Sequence, residues 1–129
     1  MKKTYINGLG CISAQKTFDT VFLEEAELNE NDTILPLKTP VYKDFISPVA
    51  IRRMAKGVKN GIVASALALR EAKLETVDAI ITGTGMGCIE DSEKFLKAIL
   101  DNDEQFLTPT SFIQSTHNTV GGQIALGMQ

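Results

Sequence analysis

The sequence predicts an α/β fold in which helices cover a β-sheet. Within residues 77–82, apolar side chains occupy consecutive positions, which is typical of a strand that is covered on both faces. Apolar residues also recur at helical spacing over residues 48–72 and 90–100, before and after this run. Helical and strand-like segments therefore alternate along the chain, as they do in layered α/β proteins.

The N-terminal part contains the least regular elements. Residues 4–7 read as a short strand. Gly8 and Gly10 follow, where we expect either a backbone conformation that favours glycine or a close approach that a Cβ atom would block. Residues 18–28 suit either a helix or an extended strand, and residues 29–32 read as a polar turn. The prolines that follow keep residues 34–41 extended or irregular.

The clearest helix begins at Ser47 and Pro48. Serine is a favoured N-cap, and proline suits the first helical position because its missing N–H would have no partner there. Apolar residues then recur at helical spacing to about residue 72. Gly57 and Gly61 each cost about 1 kcal/mol relative to alanine inside a helix. Together with neighbouring alanines they form a stripe of small residues, which indicates close packing against another element.

The C-terminal third predicts a strand, a glycine turn and three helices. The strand at residues 77–82 enters a turn at residues 83–87, and a helix follows over residues 90–100. Its inward side chains are predicted to be Phe95, Leu96, Ile99 and Leu100. Further helix starts are predicted at Thr108-Pro109 and at Asn118, which is a potential N-cap.

Length, charge and cysteine content restrict the class of protein. The chain has 129 residues, enough for one domain or a piece of one, and its net charge of -3 offers no basic surface for nucleic acid or an anionic membrane. No apolar run approaches the roughly 20 residues that cross a bilayer. The two cysteines are too few for a disulfide framework, so we expect a cytoplasmic protein.

The glycine turn at residues 83–87 raises the alternative of a small α/β nucleotide-binding module. The match is incomplete, because Cys88 stands at the sixth position of a Gly-x-Gly-x-x-Gly pattern that starts at Gly83. Glu90 and Asp91 would also repel a pyrophosphate at the start of the following helix. We therefore favour a tight turn without a phosphate.

Cys88 and His117 form the one candidate nucleophile and base in the chain. A cysteine at a strand–turn–helix junction is exposed in some enzymes, and a helix N-terminus lowers the pKa of its thiol. Three nearby carboxylates oppose that effect, and nothing in the sequence places His117 beside it. We expect Cys88 to be structural. Cys11, Cys88 and His117 also lack the paired spacing of metal ligands, so no metal site is expected.

Five features of the sequence stand in an order typical of one enzyme family. They are an opening strand and glycine turn at residues 5–13, Arg52-Arg53-Met54 ahead of an alanine-rich helix at residues 64–72, the glycine turn at residues 82–87, a helix with Glu90, Glu93 and Phe95, and a last segment with Pro109, Phe112, Asn118, Gly121-Gly122 and Ile124-Ala125. This order resembles the N-terminal part of β-ketoacyl synthases, the thiolase-like condensing enzymes of fatty-acid and polyketide assembly.

The resemblance implies both a fold and a function. The fold would be the truncated N-terminal half of a thiolase-like subunit, with helices layered on a mixed sheet, and residues 1–129 would form one incomplete domain. The family's catalytic cysteine lies beyond the last matching segment, so we expect no catalytic residue, no cofactor and no condensing activity from this chain alone. A variant of polyene-type biosynthesis is implied, with a non-catalytic partner subunit of the chain-length-factor type as an alternative.

The resemblance also implies a binding site and partners. In the family, residues after the glycine turn and around the Pro-x-x-Phe segment line the acyl channel, and the matching positions are Ile89, Phe112, Ile113 and His117. The ligand would be an acyl chain on an acyl carrier protein. The protein partner would be a second copy, in a homodimer, or a ketosynthase, in a heterodimer. Core packing is the alternative role of Ile89 and Phe112, and the alternative role of His117 is that of a helix-entry residue hydrogen-bonded to the backbone.

Overall fold

The computed structural model describes residues 3–18 and 33–128. After a short 3₁₀ helix, five α-helices follow in chain order. They are the 3₁₀ helix Tyr42–Asp44, α1 (Pro48–Ile51), α2 (Lys56–Ala72), α3 (Ile89–Asp101), α4 (Pro109–Ser115) and α5 (Thr119–Gly127). None of the helices in this described part is long and apolar enough to cross a membrane.

The helices pack as two pairs, α2 against α5 and α3 against α4. Val63 of α2 is fully buried, and Val58 of α2 and Ile124 of α5 are also in the core. Gly61 lies at a close contact of the first pair, because a Cβ atom at this position would be 2.9 Å from Val120 Cγ1. The predicted role of small residues is therefore confirmed at Gly61. It is wrong at Gly57, where a Cβ atom would have no neighbour within 4 Å.

The predicted helix over residues 48–72 exists with one interruption. The Ser47 hydroxyl accepts a hydrogen bond from the Ala50 N–H, as expected of an N-cap, but α1 ends at Ile51 and α2 begins only at Lys56. Because the helical periodicity continues across the gap, the spacing of apolar residues could not reveal the break. At the other end, Lys73 takes the left-handed conformation that commonly closes a helix, at φ 57°.

The predicted sheet is wrong. Helix accounts for 47% of the described residues and strand for none, so the α/β fold and the partial thiolase-like fold with a mixed sheet are both contradicted. The segments at residues 4–7 and 77–82 form no strand, and Ile81 is 96% exposed. A consecutive apolar run indicates a preference for burial, but a strand also requires a neighbour that completes its ladder of hydrogen bonds. The described residues provide no such neighbour.

The segment before Cys11 packs closely on α2. A Cβ atom on Gly8 or Gly10 would collide with the backbone carbonyl oxygens of Ala68 or Ala64, so both positions require glycine. The Leu9 N–H donates to the Glu71 carboxylate on the same helix. The expectation of a close backbone approach at these two glycines is therefore confirmed, although its partner is a helix and not a sheet.

The predictions for the remaining segments have mixed outcomes. The expected helix or strand at residues 18–28 and the turn at residues 29–32 fall almost entirely outside the described residues. Residues 34–41 are irregular, as the prolines predicted. The predicted helix at residues 90–100 is confirmed as α3, but its inward face is only half correct. Phe95 and Ile99 are half-buried, whereas Leu96 and Leu100 are exposed.

Candidate functional site

The glycine turn ends where α3 begins, and hydrogen bonds within the turn fix its shape. The Gly87 N–H donates to Thr84 Oγ1 at 2.9 Å, and Gly87 has a positive φ of 60° that favours glycine. Cys88 is the N-cap residue of α3, and its carbonyl accepts from the Ser92 N–H at 2.9 Å. The turn therefore places Cys88 and Ile89 at a defined helix start.

Helices α3 and α4 run antiparallel, because positions progressively later in α3 contact positions progressively earlier in α4. Ser92 Oγ lies 3.1 Å from the carbonyl oxygens of both Cys88 and Ser115. One turn further on, the rings of Phe95 and Phe112 have centroids 5.6 Å apart. Just before α3 begins, a Cβ atom on Gly87 would lie 3.9 Å from His117 Cα, which follows the end of α4. The segment after α4 therefore returns to the glycine turn.

A cavity of about 360 Å³ lies between the glycine turn, the start of α2 and α5. Small and apolar residues dominate its wall, and Glu90 is its one charged group. The lining residues are Ala55, Gly57, Val58, Gly61, Gly83, Thr84, Gly87, Cys88, Ile89, Glu90 and Val120. We call this space the glycine-turn cavity. Its volume lies in the range of small-molecule sites, and its wall suits an uncharged chain better than a polar headgroup.

The four binding residues predicted from the sequence do not all meet at this cavity. Ile89 forms part of its wall and is 50% exposed, and the exposed His117 lies beside Gly87 at the same end of the helix pair. Phe112 instead lies against Phe95, further along α4. Ile113 lines a separate cavity of about 380 Å³, together with Met54 and Arg53. Of the four residues, only Ile89 lines the glycine-turn cavity, and His117 lies near Gly87 without lining it.

Sequence reasoning missed several residues of the cavity wall. Val58 of α2 and Val120 of α5 face the cavity, although neither belongs to a recognisable motif. The stripe around Gly61 indicated that α2 packs closely against another element. It did not identify α5 as that element, because small residues permit a close approach without selecting a partner.

Cys88 is not arranged as a nucleophile. Its side chain is buried, with only 6% of the residue exposed, and burial raises the pKa of the thiol above its ordinary value. The negative charge of Asp91, one turn along α3, raises the pKa further. Asp91 is itself buried, and its nearest cation, Lys94 Nζ, is 3.8 Å from one carboxylate oxygen. The thiol is therefore protonated at neutral pH, as expected of a structural cysteine.

The turn is also unsuited to a phosphate group. The Gly87 N–H, which a phosphate cradle would need as a free donor, is already bonded to Thr84 Oγ1. The first turn of α3 carries Glu90 and Asp91, whose charges oppose an anion. Across residues 3–18 and 33–128, no group of three or more His, Cys, Asp or Glu side chains is placed to hold a metal ion.

Comparison with protein families and with curated proteins identifies no relative of this chain. No family model matches the chain, and no curated protein is significantly similar to it. The resemblance to β-ketoacyl synthases therefore rests on the order of motifs in the sequence.

Proposed function

We propose that this chain provides an acyl-binding part of a β-ketoacyl synthase-like assembly in fatty-acid or polyketide biosynthesis. Its ligand is the acyl chain carried by an acyl carrier protein, and the chain does not catalyse condensation itself. The proposal joins the order of motifs in the sequence with one structural observation, the largely apolar cavity beside the glycine turn. Polyene-type products are included in this class.

The glycine-turn cavity supports an acyl ligand through its chemistry. Gly57, Val58 and Gly61 of α2, Ile89 of α3 and Val120 of α5 all line it, and none of these side chains carries a polar group. Each methylene group buried in such a site is worth about 0.8 kcal/mol, so a short acyl chain gains several kcal/mol without a specific polar contact. Glu90 at the edge disfavours a phosphate or a free carboxylate, whereas an acyl thioester carries no charge at its reactive end.

The absence of condensing activity follows from the state of the nucleophile candidate. Covalent catalysis requires a thiolate with a base within hydrogen-bonding reach. Burial and the Asp91 charge both keep the Cys88 thiol protonated. Cys88 is therefore not the nucleophile of a condensation, and in this proposal the chain acts as a binding wall.

A second candidate function is a non-catalytic partner subunit of the chain-length-factor type. The exposure of Ile6 and Ile81 favours it, because both lie on segments without regular secondary structure and both contact solvent. A surface that another protein covers would leave such apolar side chains exposed in the isolated chain. A ketosynthase is the partner that this candidate requires.

Titration with a fluorescent acyl-pantetheine thioester tests acyl binding directly. We expect saturable binding, and we expect Ile89→Glu to weaken it at least about tenfold because a charge enters the apolar wall. Leu126→Glu is the matched control, since Leu126 is 61% exposed and lines none of the cavities described above. Binding that is absent, or equally strong in Ile89→Glu, would contradict the acyl site.

Catalytic inactivity needs a separate measurement. After incubation with acyl and malonyl thioesters, mass spectrometry of the intact chain should show neither an acyl adduct on Cys88 nor a condensed product. A stoichiometric adduct on Cys88 would show that the cysteine is a nucleophile.

A further inference from the structure

A small cavity lies between the helices, next to a buried carboxylate. Its volume is about 10 Å³, and α2, α3, α4 and α5 all contribute to its wall. Asp91 of α3 lines the cavity and is only 8% exposed. Asp91 Oδ2 has almost no contact with solvent, and no group of the described residues forms a hydrogen bond with it. We call this space the Asp91 cavity.

The negative charge of Asp91 is poorly compensated by the rest of the described chain. The one cation within 4 Å is Lys94 Nζ, which lies 3.8 Å from Oδ1, and the Lys94 side chain is 71% exposed. An ion pair with so exposed a partner contributes little, whereas a carboxylate that is buried without compensation is costly. The apolar residues Met54, Ala55 and Val58 also line the cavity, and such surroundings increase that cost. The site therefore favours a positive charge beside Oδ2.

The other polar residues of the wall are uncharged and can present oxygen atoms. Thr119 Oγ1 donates to the carbonyl oxygen of Ile113 at 2.8 Å, so its proton is used and its lone pairs remain available. Gln114 and Gln123 also line the cavity, and neither side chain is bonded to another described residue. Rotation of each amide decides whether its oxygen or its NH₂ group faces the cavity. With Asp91, the wall therefore offers up to four oxygen ligands.

We propose that the Asp91 cavity binds a monovalent cation, potassium or ammonium. The volume of the cavity corresponds to about one water-sized sphere, and both ions are close to water in size. Neutral oxygens are suitable ligands for such an ion. A divalent ion would require more negative charge, and Asp91 is the only carboxylate that the described residues contribute to the wall. A water molecule fits the volume but leaves the buried charge uncompensated.

The bound cation would connect the two helix pairs. Asp91 belongs to α3 and Gln114 to α4, whereas Thr119 and Gln123 belong to α5. Only the folded chain brings these oxygen atoms together, so the cation stabilises the folded state selectively. Its role is that of a structural ligand.

Thermal unfolding in different chloride salts at equal ionic strength tests the proposal. We expect the unfolding midpoint in potassium chloride to exceed that in tetramethylammonium chloride, because tetramethylammonium is too large for the cavity. The difference should be at least about 4 °C when the cation is present at roughly ten times its dissociation constant. Ammonium chloride in the same series shows which of the two ions binds more tightly.

Two variants assign the effect to the Asp91 cavity. Asp91→Asn keeps the shape of the side chain but removes its charge, so its midpoints in potassium and tetramethylammonium chloride should be equal. Asp101→Asn is the matched control, because Asp101 is an exposed carboxylate on the same helix, and it should keep the wild-type difference. In crystals soaked with thallium(I), which substitutes for potassium, we expect an anomalous peak beside Asp91 Oδ2.

Three results would overturn the proposal. They are equal midpoints of the wild-type chain in all salts, a difference that persists in Asp91→Asn, and density for an ordinary water at the site without an anomalous thallium signal. The inference goes beyond the proposed acyl binding and is independent of it, since no acyl ligand takes part in these measurements.

Discussion

The same substitution at two glycines of one helix should change stability in opposite directions. Gly57 and Gly61 lie one turn apart on α2. Replacing glycine by alanine inside a helix stabilises by up to about 1 kcal/mol, because the unfolded chain loses conformational freedom. At Gly57 nothing opposes this gain, since an added Cβ atom would meet no atom within 4 Å. We therefore expect Gly57→Ala to stabilise the protein.

At Gly61 the added methyl group meets the neighbouring helix. Its Cβ atom would lie 2.9 Å from Val120 Cγ1, closer than carbon atoms pack, and the branched valine has little rotamer freedom to move away. Overpacking of this kind costs about 1–3 kcal/mol, which offsets or exceeds the helical gain. We expect Gly61→Ala to be destabilising by up to about 2 kcal/mol, so that the two variants differ by about 1–3 kcal/mol.

Urea unfolding followed by circular dichroism measures the difference in the free energy of unfolding between the two variants. Thermal unfolding provides a second measurement. For a chain of this length, about 1 kcal/mol corresponds to a shift of roughly 4 °C in the midpoint of thermal unfolding. The double variant Gly61→Ala/Val120→Ala isolates the contact, because removing the valine methyl groups should make the Gly61→Ala change favourable again. If Gly61→Ala stabilises the protein as much as Gly57→Ala does, the close packing of α2 on α5 is wrong.

Three further perturbations test the site and its surroundings. Because burial and the Asp91 charge raise the pKa of Cys88, the folded state keeps a proton that the unfolded thiol loses. The free energy of unfolding should therefore fall as pH rises above about 8.5, and urea titrations should show a weaker fall in Cys88→Ala. Ser92→Ala should cost about 1 kcal/mol by removing the hydroxyl that joins α3 to Ser115, and an unchanged urea midpoint would argue against that link. Gly10→Ala should speed proteolysis of the segment before Cys11, because its Cβ atom collides with the α2 backbone, and an unaltered digestion pattern would contradict that packing.

Helices were predictable from the sequence because their signals are local. Ser47 and Pro48 identified the first helix start, and the apolar spacing gave α3 to within about one residue at each end. Which side of a helix is buried depends on its neighbours. The spacing therefore placed Leu96 and Leu100 inside, but α4 packs against the side that carries Phe95, and the two leucines are left exposed.

The predicted sheet failed because a strand, like the buried side of a helix, depends on the neighbouring elements. The sequence around Ile80 and Ile81 has the composition of a covered strand, yet a strand forms only when a partner accepts and donates its backbone hydrogen bonds. A consecutive apolar run contains no information about where that partner is. The described residues leave these side chains without a sheet, and Ile81 is almost fully exposed.

The candidate site was predicted in part. Motif order pointed to the glycine turn and to Ile89, and Ile89 lines the glycine-turn cavity. The charges near Cys88 led to the expectation of a structural cysteine, and burial and the Asp91 charge raise the pKa of its thiol. The family resemblance placed Phe112 and Ile113 on the same wall as Ile89, but a helix distributes consecutive residues around its axis. Phe112 therefore lies against Phe95, whereas Ile113 lines a separate cavity.

Photoaffinity labelling with an acyl-pantetheine thioester that carries a diazirine near the end of its chain tests the acyl site most directly. After irradiation and digestion, we expect mass spectrometry to locate the label on residues that line the glycine-turn cavity, foremost Val58, Ile89 and Val120. An excess of unlabelled thioester should abolish the labelling. Label concentrated on the Ile113 cavity, or spread over the surface without competition, would show that the glycine-turn cavity does not bind acyl chains.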